Sequence, residues 1–104
     1  MTTYTPDRWV LLEITNQETG DSVQKVFAGW YGGYAGSDSW KLSSGVVATE
    51  DRDDYIEFLN SSGSVYKCYK NSLGMSGYMG SVYSSWIKEA EKTGAATFAV
   101  LNVL

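Results

Sequence analysis

The chain has 104 residues, of which 43% are hydrophobic, 14% aromatic and 19% charged, with a formal net charge of −4 and a sequence pI near 4.6. That length suits residues 1–104 as a single domain around one core, and the aromatic content excludes extended disorder. The eight Lys and Arg residues are spread along an acidic chain, which disfavours nucleic acid as a partner because phosphate binding needs a clustered basic surface.

Arg8 to Thr15 (RWVLLEIT) is an apolar run that ends at the polar cluster Asn16 to Asp21, and reads as a strand over 8–15 followed by a turn. Ser22 to Tyr31 alternates Val23, Lys25 and Phe27 against Gln24, Val26, Ala28 and Trp30, a second strand over 22–31 that forms a hairpin with the first. Next comes the glycine-rich segment GWYGGYAGSDSW, and then a third strand over 40–49 in which Ser43-Ser44-Gly45 marks a bulge or bend. DYIEFL (54–59) and SVYKCYK (64–70) are the fourth and fifth strands, joined through the hairpin-turn chemistry of Asn60-Ser61-Ser62-Gly63. The echo between LSSGV at Leu42 and LNSSGSV at Leu59 is similar turn chemistry used twice.

After Ser76 the period changes. Met79, Val82, Tyr83, Trp86 and Ala90 fall on one helical stripe, with Ser76 as N-cap and Gly94 just past the end, predicting an amphipathic helix over 77–92. Ala96 to Val103 (ATFAVLNV) is nearly all apolar and reads as a buried strand over 96–103. The fold class expected is α+β: a strongly bent antiparallel sheet of five to six strands with one helix packed on one face.

One helix covers one face, so the other face of a two-layer domain should be polar. It is not. Val10, Leu12 and Ile14 oppose Trp9 and Leu11; Phe98 and Val100 oppose Ala99, Leu101 and Val103. Two arrangements supply the missing cover: the sheet bends at its glycines and closes on itself as a partly open barrel, or the second face is buried against another copy as a homodimer.

The chemistry-bearing side chains are few. Histidine is absent, which removes His-dependent triads and His metal sites. Cys68 sits mid-strand beside Tyr66 as a structural thiol, and no spacing pairs Glu13, Asp38 or Glu57 as catalytic carboxylates. The acidic run from Glu50 to Asp54, broken by Arg52, reads as a solvated turn. No metal or cofactor is implied, and an enzyme is disfavoured. A lone cysteine, the start MTTYTPDRW and the absence of long apolar runs point to a cytoplasmic protein without a membrane partner.

Two segments remain as binding candidates. Trp30, Tyr31, Tyr34, Asp38 and Trp40 combine flat rings with polar groups, and such rings either pack under the turn as core or face a protein partner. Gly74, Ser76 and Gly77 at the helix start, with Lys70 nearby, form a possible anion site, although Gly77 and Gly80 equally suit a close approach of helix to sheet.

The run Ala28-Gly29-Trp30-Tyr31-Gly32-Gly33-Tyr34, with Asp38-Ser39-Trp40, Ser44-Gly45 and Ser62 to Tyr66, resembles small uncharacterised proteins of bacteriophage genomes over roughly residues 8 to 80. The resemblance implies no activity and gives no residue a role. It implies a phage accessory protein acting on a host component in the host cytoplasm. From the two apolar sheet faces, the aromatic segment and the lack of a catalytic motif, the function expected is a non-enzymatic binding protein that self-associates. The alternative is a small-ligand or anion-binding domain, or simple enzyme, using Gly74 to Gly80 and the Gly29 to Trp40 segment.

Overall fold

The computed structural model describes residues 2–32 and 36–104. In chain order its elements are β1 (Thr3–Tyr4), β2 (Arg8–Asn16), β3 (Ser22–Trp30), β4 (Ser39–Leu42), β5 (Val46–Asp51), β6 (Tyr55–Asn60), β7 (Val65–Tyr69), α1 (Gly77–Thr93) and β8 (Ala96–Leu101). A 3-10 turn, Lys70–Ser72, precedes the helix.

These strands form two sheets. One is antiparallel in the order β4-β3-β2-β8; the other is mixed, in the order β1-β7-β6-β5, with β1 parallel to β7. Neither sheet curls into a barrel. The expected strongly bent single sheet is corrected: the two sheets stack. Trp9, Leu11, Val26 and Ala28 on one face of the β4-β3-β2-β8 sheet meet Ile56, Phe58, Tyr66 and Cys68 of the other sheet in a buried cluster. On its opposite face Val10, Leu12 and Phe27 form a second cluster with Met79, flanked by Val82, Tyr83 and Trp86 of α1. The apolar character of both faces of β2 is thus satisfied within the chain, by a second sheet on one side and a helix on the other.

The correction begins at Ser43. The expected strand 40–49 is two strands, β4 and β5, that belong to different sheets, and Ser43-Ser44-Gly45 is the corner between them. Buried Ser43 holds that corner: its Oγ accepts from Val26 N at 2.8 Å and donates to Ser44 O at 2.7 Å, so the chain leaves β4 without orphaning the backbone. The remaining strands match their expected positions with ends shifted by one or two residues, but β8, expected to be buried, is an edge strand with no buried residue. The short β1 was not expected; Val65 N donates to Thr2 O at 2.8 Å beside it.

Local chemistry sets the ends. Asn16 Oδ1 accepts from Glu18 N and Thr19 N, and Gly20 takes φ 76°, turning β2 into β3. Ser76 caps α1 by accepting from Met79 N at 3.2 Å, and Gly94 closes it in the left-handed conformation with φ 68°. Trp9, fully buried between the sheets, satisfies its indole by donating Nε1–H to Tyr69 O at 2.7 Å.

Candidate functional site

Register places the glycine–aromatic residues. In the ladder Arg8 opposes Gly29, and Gly29 opposes Trp40, so these three form one row across β2, β3 and β4. Phe27, two residues before Gly29, faces the helix; the whole row therefore lies on the helix side. Trp30 is one step further and points the other way, half-buried against the cluster between the sheets, with its ring 6.3 Å from that of Tyr4 and Nε1–H donating to Thr5 O at 3.0 Å. Trp30 and Trp40 thus sit on opposite faces and form no common platform.

Gly29 has a particular duty. A Cβ built there would lie 2.4 Å from Met79 Sδ and 2.8 Å from Cγ, so only a bare backbone lets Met79 seat against β3. Gly77 and Gly80, where close approach was expected, have nothing within 4 Å of such a Cβ. The close contact of helix and sheet is made at Gly29 instead, and it joins the two candidate segments: the helix start rests on the glycine–aromatic strand.

Around this seat are the exposed rings. Tyr31 is 50% exposed, yet held: Arg8 Nε–H donates to its hydroxyl at 3.2 Å, and its backbone N–H donates to Asp7 Oδ2 at 2.9 Å. Trp40 is 38% exposed and packs edge-on against Phe27 (5.9 Å) and Trp86 (5.2 Å). Asp38 braces the loop, its Oδ1 accepting from Gly32 N at 2.9 Å. Tyr34 lies outside the described residues.

Most of the expected anion group has partners within the chain. Gly74 N–H donates to Trp9 O at 2.8 Å, buried Ser76 is occupied as the cap, and Lys70 Nζ is 2.6 Å from Asp51 Oδ1. Gly77 opens onto solvent on the outer side of the helix. Three of the four residues are thus committed to contacts within the chain.

Of the titratable groups elsewhere, Cys68 and Tyr66 are buried and Arg52 is paired with Glu50 and Glu57. Cys68 is fully buried, and that burial pushes its thiol well above the ordinary 9.0, which makes it a poor nucleophile. Burial likewise pushes the neighbouring Tyr66 phenol up to about 12. Glu57 accepts from Arg52 Nε at 3.2 Å, and Arg52 also pairs with Glu50. Among the described residues no cluster of three His, Cys, Asp or Glu side chains could hold a metal ion, and no helix is long and apolar enough to cross a membrane.

One polar feature went unforeseen. The two echoing Ser-Gly turns meet: Ser44 Oγ lies 2.9 Å from Ser62 Oγ, Ser61 N donates to Gly45 O at 2.8 Å, and Ser62 Oγ lies 3.1 Å from Ser64 Oγ. They border a cleft that Tyr4, Lys41 and Tyr66 also line. The echo was the available signal, but it showed similar local chemistry rather than contact. No protein-family model, curated protein sequence or solved structure matched the chain.

Proposed function

We propose that this chain is a non-enzymatic binding protein, engaging a protein partner through the rim of Arg8, Tyr31 and Trp40 around the Met79 seat. Following the resemblance of its glycine–aromatic run to phage proteins, the partner is a host component and the protein a phage accessory factor. The observation that carries the reading is that Tyr31 and Trp40 are exposed by 50% and 38% yet fixed in place, Tyr31 by Arg8 and Asp7, Trp40 by Phe27 and Trp86. Exposed rings that are already ordered lose little entropy on docking, which is how interface hot spots work. Three groups an enzyme or anion site could use are committed elsewhere: Cys68 to the core, Asp38 to Gly32 N–H and Lys70 to Asp51. Self-association belongs to the same reading.

The test is quantitative capture from host lysate by wild-type, Tyr31→Ser and Trp40→Ser baits, each first checked for folding by circular dichroism. Loss of a hot-spot ring costs about 2 kcal/mol or more of binding, roughly a thirtyfold weakening. A protein held by the wild type should therefore disappear from both variant baits. Equal capture by all three folded baits would remove the rim as the binding surface.

A further inference from the structure

Each sheet has two edges, and the four edges of this fold are not alike. In the mixed sheet β1 is two residues long, while β5 carries Glu50 and Asp51 and a register shift between Val46 and Ala48. In the other sheet β4 has four residues and includes Lys41. Shortness, charge and bulges are the ordinary means of keeping an edge from pairing. The remaining edge, β8, has none of them. Ala96–Leu101 (ATFAVL) is six residues long, free of Pro and Gly, and pairs with β2 in an unbroken register; no side chain from Thr93 to Leu104 is ionisable.

The direction of its backbone groups follows from that register. Gln17 N donates to Ala95 O at 3.0 Å, which fixes the odd-numbered residues of β8 as those bonded to β2. Ala96, Phe98 and Val100 therefore turn their N–H and C=O groups outward, and those groups make no other hydrogen bond among the described residues. Val100 is 49% exposed, and Ile87 and Ala90 of α1 flank Phe98 along the same border.

We infer that β8 pairs antiparallel with β8 of a second copy about a two-fold axis near Phe98, joining the two four-stranded sheets into one of eight strands with both helices on the same side. The inference rests on the self-association in the reading above and names the edge that carries it. The outward residues are symmetric about Phe98, so Ala96 meets Val100 and Phe98 meets Phe98, with about six backbone hydrogen bonds formed. The occupant is a second copy because strands without ionisable side chains let two chains of net charge −4 pair with no like charges on the paired strands themselves, leaving Glu91 of α1 as the acidic side chain bordering the groove. One unprotected edge per chain also closes the assembly at two, whereas two such edges would build a fibre.

The experiment is light scattering during size-exclusion chromatography, from micromolar to millimolar concentration, on the wild type, Val100→Pro and Val100→Thr. Pro at Val100 removes an outward N–H that the monomer does not use, and Thr keeps it. The wild type and Val100→Thr should reach twice the 11.5 kDa chain mass, with Val100→Pro dissociating at least ~100-fold more easily. A dimer that survives Val100→Pro overturns the β8 pairing but leaves self-association standing; a wild type that stays monomeric throughout overturns both. Should Val100→Pro not fold, amide exchange on the wild type decides the matter. Phe98 and Val100 should become protected as concentration rises while Thr97 and Ala99 are protected throughout. Fast exchange of Phe98 and Val100 at millimolar concentration would overturn the pairing.

Discussion

Replacing Gly29 by Ala tests the joint on which the candidate surface is built. The new Cβ would meet Met79 Sδ at 2.4 Å and Cγ at 2.8 Å, so the Met79 side chain must withdraw by about an ångström. It has nowhere convenient to go: Met79 is fully buried against Val10, Leu12 and Phe27, and its sulfur lies 3.5 Å from the N–H of Ser76. Overpacking of this kind costs about 1–3 kcal/mol, and the reduced freedom of Ala in the unfolded chain offsets up to ~1 kcal/mol. The net loss of about 1–2 kcal/mol lowers Tm by roughly 5–15 °C for a domain of this size. Urea unfolding of a double-mutant cycle measures the cause. Met79→Ala alone costs about 2–5 kcal/mol by leaving a cavity, and in that background Gly29→Ala should cost nothing, a coupling of at least ~1 kcal/mol. Additive effects, or a neutral Gly29→Ala, would refute the seat.

Gly80→Ala should do the opposite, stabilising by about 0.5–1 kcal/mol in thermal melts, because its site in the helix is open and Ala is the better helix former. Ser76→Ala removes the bond to Met79 N and should cost ~1 kcal/mol in urea unfolding. High pH should destabilise the fold through Cys68 and then Tyr66, whose folded pKa values are raised above the ordinary 9.0 and 10.0. Above those ordinary values the unfolded state has released protons that the folded state still holds, so stability falls with rising pH, by about 1.4 kcal/mol per pH unit for each group. The Cys68 part begins near pH 9 and the Tyr66 part runs from near 10 until its folded value of about 12. Denaturation of Cys68→Ala across pH 8 to 11 should lack the portion between 9 and 10.

How far the residues announced this fold depends on whether their signals are local. The helix was legible because its stripe, its cap at Ser76 and its stop at Gly94 all lie within one stretch. The two apolar faces of β2 were legible for the same reason, since alternation is written along the strand itself. What covers them was not: Ile56, Phe58, Tyr66 and Cys68 lie far along the chain, and their alternation shows that they face something without showing what. Ser43-Ser44-Gly45 suits a bulge and a corner between sheets equally well, and only the distant bond from Val26 N separates the two. At the candidate site the aromatic rings were visible, but their division between faces follows from register, which a one-residue slip would reverse. The role of Gly29 was hidden for a similar reason. Its need for space is set by Met79, fifty residues away in sequence.

The central claim is that this chain acts by docking a partner on the Arg8, Tyr31 and Trp40 rim. Its most direct test is hydrogen exchange of the chain with and without the protein captured by the wild-type bait, read residue by residue. Docking on the rim predicts added protection at residues 7–8, 29–32 and 38–41. Protection confined to the serine cleft around Ser44 and Ser62, or to the outer helix face at Ser81, Ser84 and Ser85, with the rim unchanged, would contradict it.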